Sequence, residues 1–277
     1  MATEAVATEG QVTSADGTRL AYRAWPRADA TQTFAVVHGL GDHSGRYAAF
    51  AKAMGNRGMA TYAVDLRGHG RSQGQRGHLD SWDQWTEDVA AFVARVESQT
   101  RGEVIPVGHS FGGAAMLSTA LAGKLKSSRR FIVSSPALKL KAAVPGWKVI
   151  LGNMTSQVVP KLSMSNEVDP GTISRIPEVV EAYRNDPLVH PRISSRMFTE
   201  WSKAAHHALE HADQIRIPFL ILAGDADQLI DPAGSEQLHA RAPQKSTLRV
   251  LSGRYHEPFN DLGSEEVFDI VAGWVKA

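Results

Sequence analysis

Residues 104–115 read VIPVGHSFGGAA, and this stretch decides the fold. The apolar run 104–107 is typical of a buried strand, and the small residues from Gly113 onward favour a helix. Between them, residues 108–112 have the form G-x-S-x-G, which places a nucleophilic serine when it joins a strand to a helix. Glycines two positions either side of Ser110 prevent collisions with the neighbouring strand and helix. The sequence therefore predicts Ser110 as a nucleophile at a helix N-terminus, where partial positive charge favours an oxyanion.

Strand and helix signals alternate along most of the chain. Apolar β-rich runs predict further strands at residues 34–37, 60–64, 130–133, 219–223 and 247–251. Longer stretches predict helices at residues 47–56, 82–98, 113–125, 232–240 and 265–275. Apolar strands that alternate with helices imply an α/β fold whose mostly parallel sheet carries helices on both faces. A hairpin over residues 11–25, turning at Asp16-Gly17, adds antiparallel strands at one edge.

One segment interrupts this alternation. Residues 140–206 hold six prolines and no clear strand, so we interpret them as a helical insertion between two strands of the sheet. The expected organisation is a single α/β domain. Residues 1–139 and 207–277 form the two parts of its core, and residues 140–206 form a helical cap or lid.

Composition and charge exclude several classes of protein. The chain has 277 residues, of which 43% are hydrophobic, enough for a large core. The net charge of +1 disfavours a nucleic-acid binder, which normally carries a concentrated basic surface. There is no cysteine, which excludes disulfides, thiolate metal sites and cysteine nucleophiles. We predict neither a signal peptide nor a spanning helix, and we expect a cytoplasmic protein, with peripheral contact at membranes left open.

A serine nucleophile requires a base and an acid that orients the base, in the chain order Ser, Asp or Glu, His. The strand predicted before residue 224 is followed by three acids. Asp231 precedes a proline and is typical of a helix N-cap, while Asp225 suits the capping of backbone amides in the turn. We therefore predict Asp227 as the orienting acid. His256 follows the next strand, at the same edge of the sheet, and is the predicted base.

Two backbone amides are candidates for an oxyanion hole. One belongs to Phe111, directly after the nucleophile, and the other lies in the loop after strand 34–37. That loop contains Leu40 between two glycines, which let its backbone approach a substrate carbonyl closely. We predict Leu40 and Phe111 as the two donors, and a structural hydrogen-bonding role for the neighbouring His38.

Longer motifs surround these residues. They are HGLGDHSGRY at 38–47, DLRGHGRS at 65–72, GHSFGG at 108–113, NDPL at 185–188 and GDAD at 224–227. With these motifs the chain resembles, over almost its full length, the monoacylglycerol lipase and lysophospholipase group of α/β-hydrolases, which is similar to the serine aminopeptidases S33. The resemblance implies a triad of Ser110, Asp227 and His256, and a lid role for the insertion.

The resemblance extends to the recognition of the substrate. It implies that Asp42, Arg46 and Tyr183 occupy a polar pocket and help to seat a glycerol headgroup. The residues after His256 depart from the pattern, because some relatives have a second histidine nearby and this chain reads Glu257-Pro258-Phe259. That departure bears on how the headgroup is recognised.

Two further patterns are less specific. Residues 207–211 read HALEH, an inverted zinc-protease pattern, but they precede a strand of a sheet that already has a predicted triad. We interpret them as a solvated helix surface and predict no metal site. In the insertion, apolar residues fall at helical spacing from Val144 to Val158, and lysines accompany them without acids. This stripe is predicted to pack over the core, to face outward toward acyl chains and lipid surfaces, or to do both.

The resulting hypothesis is a serine carboxylester hydrolase that cleaves monoacylglycerols through an acyl-enzyme, without metal or organic cofactor. Its partners would be a lipid-like ester and, through the cap, a membrane or micelle surface, but no nucleic acid. Three alternatives stay open. A lysophospholipase or broad medium-chain esterase would share the catalytic residues. An aminopeptidase would need cap carboxylates such as Glu167 and Asp169, and a ligand sensor on the same fold would turn over slowly or not at all.

Overall fold

The computed structural model describes residues 7–142 and 146–277. In these ranges the strands are β1 (Thr8–Thr13), β2 (Arg19–Trp25), β3 (Gln32–Val37), β4 (Ala60–Val64), β5 (Glu103–His109), β6 (Phe131–Ser134), β7 (Ser163–Ser165), β8 (Arg192–Ser194), β9 (Phe219–Gly224) and β10 (Ser246–Leu251). The helices are α1 (Ala48–Asn56), α2 (Trp82–Gln99), α3 (Phe111–Leu121), α4 (Gly146–Val158), α5 (Pro177–Asn185), α6 (Ser195–His211), α7 (Ala233–Arg241) and α8 (Ser264–Lys276).

Eight strands of the described chain form one sheet in the order β1-β2-β4-β3-β5-β6-β9-β10. The pairs β1–β2 and β2–β4 are antiparallel, and the other neighbours in the sheet are parallel. Parallel neighbours need a crossover connection, usually a helix, which accounts for the alternation of strands and helices along the chain. The expected α/β fold, with a mostly parallel sheet and an antiparallel edge, is confirmed.

The central strands are buried on both faces, which is why their sequences are continuously apolar. In β3, Ala35 and Val37 belong to the core cluster that includes α2, α3 and α6. Phe34 and Val36 point to the opposite face and belong to the cluster that includes α1 and α8. Helices therefore cover both faces of the sheet, as predicted.

The carboxyl ends of four parallel strands meet at one edge of the sheet. The register pairs Val37 at the end of β3 with Gly108 in β5, and Leu251 at the end of β10 with Gly224 at the end of β9. The loops after β3, β5, β9 and β10 contain, respectively, the predicted oxyanion donor Leu40, the predicted nucleophile Ser110, the predicted orienting acid Asp227 and the predicted base His256. The sheet thus brings residues from both ends of the chain to one place.

The segment of residues 140–206, interpreted above as an insertion, contains helices and also a pair of short strands. β7 and β8 form a two-stranded antiparallel sheet in which Ser163 pairs with Ser194. The expectation of no strand in this segment is wrong, because three-residue strands are too short for an alternating pattern. Helix α6 continues past residue 206 to His211, and its Trp201 stacks on Phe111 of α3 at a ring distance of 4.8 Å.

A buried ion pair fixes the loop that follows β4. Arg67 donates hydrogen bonds of 2.7 and 2.6 Å to Asp88 in α2, and another of 2.7 Å to Asp16 in the β1–β2 turn. The Asp88 side chain is fully buried, whereas that of Asp16 is 42% exposed. Within the same loop, Asp65 accepts the Ser44 amide at 2.7 Å. The loop therefore joins the antiparallel edge of the sheet to the loop after β3.

Replacing Asp88 by Asn should destabilise the fold strongly. The change leaves the buried Arg67 guanidinium paired only with the partly exposed carboxylate of Asp16. Breaking a buried ion pair typically lowers the free energy of unfolding by about 3–5 kcal/mol. Asp83 lies exposed in the first turn of the same helix, so Asp83→Asn should cost less than about 1 kcal/mol. Urea unfolding followed by circular dichroism measures both losses. Equal losses in the two variants would contradict the role given to the Arg67–Asp88 pair.

Candidate active site

Ser110 lies at a sharp turn between β5 and α3. Its φ of 53° and ψ of −122° are values that residues with side chains rarely adopt. The Ser110 amide donates to the Ser134 carbonyl, and its own carbonyl accepts the amides of Ala114 and Ala137, so three hydrogen bonds hold the turn. A Cβ at Gly112 would collide with backbone carbonyls at the end of β3. This contact is the physical reason for a glycine at that position.

His256 bridges Ser110 and Asp227. Its Nε2 lies 3.0 Å from the Ser110 Oγ, and its Nδ1 lies 2.7 Å from the Asp227 Oδ2. All three residues are buried, with exposed fractions of 7% for Ser110, 6% for His256 and 3% for Asp227. When Nδ1–H donates to the carboxylate, the Nε2 lone pair faces the serine hydroxyl, as a general base requires. The three residues predicted from the sequence are therefore brought together in hydrogen-bonding order.

The three acids after β9 have different partners. Asp225 accepts a backbone amide of the loop after β10, and Asp231 accepts an amide in the first turn of α7. Asp227 is the acid of the three that is hydrogen-bonded to the imidazole. Its Oδ1 accepts the amides of Leu229 and Ile230 at 2.8 and 2.9 Å, which fixes the orientation of the carboxylate.

Burial and charge act in opposite directions on the His256 imidazole. Burial lowers its pKa, but Asp227, followed by Glu257 and Asp42, raises it, and the net pKa lies above the ordinary value. For Asp227, burial raises the pKa, and the charge and hydrogen bond of His256 bring it below the ordinary value. The His109 ring lies 4.9 Å from that of His256, and burial together with the His256 charge lowers its pKa to about 3. His109 therefore stays neutral beside the base.

The two predicted oxyanion donors lie on either side of the nucleophile turn. Phe111 is the first residue of α3, so its amide has no partner within the helix. Leu40 follows Gly39, where an added Cβ would lie 3.0 Å from the Ser110 Cβ, so this loop passes directly beside the nucleophile. His38 supports the loop: its Nε2 accepts a backbone amide after β4, and its Nδ1 donates to the Gly39 carbonyl. Burial lowers the pKa of His38, and the ring stays neutral in this structural role.

Asp42 and Tyr183 both contact Arg46. The Arg46 guanidinium lies 3.2 Å from the Asp42 carboxylate and 4.6 Å from the centre of the Tyr183 ring. It also binds Glu257 through two hydrogen bonds of 2.6 and 2.7 Å. Sequence reasoning missed Glu257 as a member of the site, because no local pattern pairs positions so distant in the chain. The available signal was its place directly after His256.

The insertion is attached to the loop that carries Leu40. His43 in that loop donates from Nε2 to the Asp186 Oδ2 at 2.8 Å, while its Nδ1 accepts a nearby backbone amide. The His190 amide donates to the Gly41 carbonyl at 3.0 Å. The motifs HGLGDHSGRY and NDPL, which are distant in sequence, therefore meet in the fold.

The HALEH pattern lies on α6 and has the contacts of a surface helix. The rings of His207 and His211 stack with their centres 4.2 Å apart. Glu210 pairs with His206 rather than with either of them. Among residues 7–142 and 146–277, no cluster of three His, Asp or Glu side chains is arranged to hold a metal ion.

Helix α4 presents a large apolar surface to the outside. Five of its large apolar side chains have exposed fractions between 51% and 82%, namely those of Trp147, Ile150, Leu151, Met154 and Val158. Trp147, Leu151, Met154 and Val158 of the predicted stripe therefore face outward instead of packing on the core, and Ile150 does so beside them, while Val144 lies outside the described residues. No helix in the described part of the chain is long and apolar enough to cross a bilayer.

A nucleophile turn at the carboxyl edge of a mostly parallel sheet defines the class of α/β-hydrolases. A sequence profile of the serine aminopeptidase S33 family matches residues 28–263. The chain belongs to this family of hydrolases, and the resemblance drawn from its motifs is confirmed.

Relatives of the chain cover almost its whole length. It is 32% identical to a monoacylglycerol lipase of Mycolicibacterium smegmatis over 264 residues. These aligned residues cover 94% of this chain and 93% of that protein. The crystal structure of a Paleococcus ferrophilus monoacylglycerol lipase shares 30% identity and a TM-score of 0.81, with 98% of each chain covered. An uncharacterized abhydrolase domain-containing protein of Dictyostelium discoideum is 33% identical over 266 residues, which are 95% of this chain but 28% of that protein.

Activity should fall as the pH drops through the raised pKa of His256. A base must be neutral to take the serine proton, so a raised pKa moves the acid limb of the kcat/KM profile to higher pH than an ordinary histidine gives. Asp227→Asn removes the charge that raises this pKa, so the limb should shift to lower pH while kcat falls about 10,000-fold. Hydrolysis of a chromogenic ester across pH measures both effects. Asp225→Asn is the matched control, and an equal response in that variant would refute the assignment of Asp227.

Proposed function

We propose that this protein is a serine carboxylester hydrolase that cleaves monoacylglycerols to fatty acid and glycerol. The hydrogen-bonded series of Ser110, His256 and Asp227 carries the proposal, because it supplies a nucleophile, a base and an orienting acid in one buried place. The substrate class is supported by the monoacylglycerol lipases that are 30% and 32% identical to this chain over nearly their full length.

The first half of the reaction acylates the serine. The Ser110 Oγ attacks the ester carbonyl carbon while its proton passes to the His256 Nε2, and Asp227 stabilises the imidazolium that forms. The carbonyl oxygen becomes an oxyanion and accepts hydrogen bonds from the amides of Leu40 and Phe111. When this intermediate collapses, the bond to glycerol breaks, and the imidazolium gives its proton to the departing oxygen.

The second half of the reaction releases the fatty acid. Water attacks the acyl-serine carbonyl carbon while the His256 Nε2 takes a proton from it. The same two amides hold the second oxyanion. Collapse of that intermediate breaks the bond to the Ser110 Oγ, which regains the proton from the imidazolium. The enzyme returns to its starting state without any cofactor.

The glycerol end of the substrate is proposed to lie near Asp42, Arg46 and Tyr183. The Arg46 guanidinium is already paired with Glu257 and Asp42. The proposed role of Arg46 is therefore to hold Asp42 and Tyr183 in place. A carboxylate and a phenol suit uncharged hydroxyl groups as hydrogen-bond partners. A lysophospholipid would bring a phosphate toward the carboxylates of Asp42 and Glu257, which favours the neutral headgroup.

Ser110→Ala should abolish hydrolysis of a medium-chain monoacylglycerol. Removing the serine of a triad lowers kcat about 10⁶-fold, which leaves only background hydrolysis. The measurement compares release of fatty acid from the monoacylglycerol, the matching triacylglycerol and a lysophosphatidylcholine. Rapid turnover of the monoacylglycerol alone by the wild type is the expected result. Ser252→Ala, which changes an exposed serine in the loop before His256, should retain full activity.

Other outcomes of this comparison assign a different function. A Ser110-dependent preference for the lysophosphatidylcholine would make the protein a lysophospholipase. Similar rates on all esters would make it a broad esterase. If none of the three is hydrolysed, release of a dye from an aminoacyl amide would indicate an aminopeptidase, and binding of a fatty acyl ligand without turnover would indicate a sensor.

We also propose that α4 brings the enzyme to lipid surfaces. Its exposed stripe is apolar, and the exposed Lys141 and Lys161 lie near its two ends with no acid between them in sequence. An apolar face with basic flanks suits the interface of an anionic bilayer. Such contact would place the insertion where monoacylglycerols accumulate.

Replacing Ile150 and Val158 together by serine should weaken binding to vesicles at least about tenfold. Burying one such side chain is worth about 1.5–3 kcal/mol. Losing two of them should therefore weaken binding by this factor even if each side chain enters the bilayer only partly. Co-sedimentation with phosphatidylcholine vesicles that contain phosphatidylglycerol measures the binding. The matched control replaces Asn153 and Gln157, two exposed polar residues of the same helix, by serine. Equal sedimentation of the two double variants would rule out α4 as the contact.

A further inference from the structure

Glu257 is a buried carboxylate directly after the proposed base. The residue is 6% exposed, and its two oxygens accept hydrogen bonds from Arg46 at 2.6 and 2.7 Å. Asn260 donates another hydrogen bond to its Oε2 at 3.0 Å. A carboxylate removed from water is costly unless it is paired and hydrogen-bonded, as this one is. Burial of such a pair beside the base points to a part in the chemistry.

Three charged side chains form one cluster near the imidazole of the base. Asp42 and Glu257 are carboxylates and Arg46 is a guanidinium, so the cluster carries one net negative charge. Two other groups face the imidazole: Asp227, hydrogen-bonded to its Nδ1, and the neutral ring of His109, 4.9 Å away. Glu257 and Asp42 both raise the pKa of the imidazole, after the larger effect of Asp227.

The backbone of Glu257 joins the loop of the base to the insertion. Its amide donates to the Ile173 carbonyl at 2.9 Å, and its carbonyl accepts the Asn260 amide at 2.9 Å. The Tyr183 ring, from helix α5 of the insertion, packs against the Arg46 guanidinium. The side chain of Glu257 thus fixes this loop to the core through Arg46, and its backbone amide fixes the loop to the insertion through Ile173.

We propose that Glu257 is a positioning residue for His256, which holds the loop of the base in place and, with Asp42, outweighs the charge of Arg46. The inference rests on the proposed function, in which the imidazole gains a proton as Ser110 attacks the ester. A net negative cluster stabilises the imidazolium at that step, whereas the neutral pair of Arg46 and Asp42, left without Glu257, would not. Because of Glu257, the cluster that contains Arg46 is negative overall.

The test is an NMR titration of the His256 imidazole, which needs no substrate. The His256 signal is identified by its loss in His256→Asn. In Glu257→Gln the cluster is neutral, so the titration midpoint should move to lower pH than in the wild type. In the double variant Arg46→Gln/Glu257→Gln, Asp42 again leaves one net negative charge, and the midpoint should return toward the wild-type value.

Two further variants control the titration. Glu266 in α8 pairs with Arg254, which lies in the loop that carries His256, but the Glu266 side chain is 69% exposed. Glu266→Gln should therefore leave the titration midpoint unchanged. Asp42→Asn removes one carboxylate from the cluster and should shift the midpoint as Glu257→Gln does, which preserves the test if Glu257→Gln folds poorly. An unchanged midpoint in Asp42→Asn and Glu257→Gln, or an equal fall in the double variant, would overturn the proposal.

Kinetics separate this inference from the proposed function. Glu257→Gln should lower kcat about 10- to 100-fold with little change in KM, because a small displacement of the base affects the reaction more than binding. A change in KM alone, with an unshifted titration, would assign Glu257 to headgroup binding and overturn its positioning role. Failure of the proposed function would instead appear as ester hydrolysis that survives Ser110→Ala, and the titration would still decide the role of Glu257.

Discussion

The strained backbone at Ser110 is the constraint on which the rest of the structure depends. A non-glycine residue in such a conformation costs about 1–3 kcal/mol and persists only where its surroundings hold it. Here the carbonyl of Ser134 and the amides of Ala114 and Ala137 hold it. The turn in return directs the hydroxyl toward His256 at the edge of the sheet, and it starts α3 with the free amide of Phe111. The strain, the proposed nucleophile and one proposed oxyanion donor all follow from the backbone conformation of this one residue.

Much of the fold could be predicted because the central strands are buried on both faces and therefore leave an uninterrupted apolar signal. The sheet edge could be predicted for the same reason, and with it the meeting of Ser110, Asp227 and His256. The errors lie where a local signal is weak. α3 begins at Phe111, two residues before the predicted start, because the glycine pair Gly112-Gly113 does not delay a helix whose first turn is fixed by the strand before it. The strands β7 and β8 are too short to leave a pattern.

The pairs that join loop to loop could not be predicted at all. His43 with Asp186, and Arg46 with Glu257, are ordinary surface residue types in sequence, and no periodicity connects them. The side chains of His43, Arg46 and Glu257 are at most 10% exposed, and that of Asp186 is 26% exposed, because the insertion and the loop after β10 approach one short segment after β3. A charged residue is buried only with its partner, so such a pair becomes visible when both positions are known in space, and each member alone suggests a solvated side chain.

Both groups of contacts converge on the segment of residues 38–47. It carries Leu40 beside the nucleophile, His43 bound to the insertion, and Arg46 bound to the loop of the base. The proposed oxyanion donor and the proposed base are therefore both positioned relative to this one segment, although they follow strands at different positions in the sheet. Parallel strands alone would bring these loops to the same edge within several ångströms, whereas proton transfer between Ser110 and His256 requires a hydrogen bond of about 3 Å. The buried ion pair of Arg46 and Glu257 supplies the remaining restraint. This role explains why a charge cluster, which is costly to bury, lies beside the proposed base in place of packed apolar side chains.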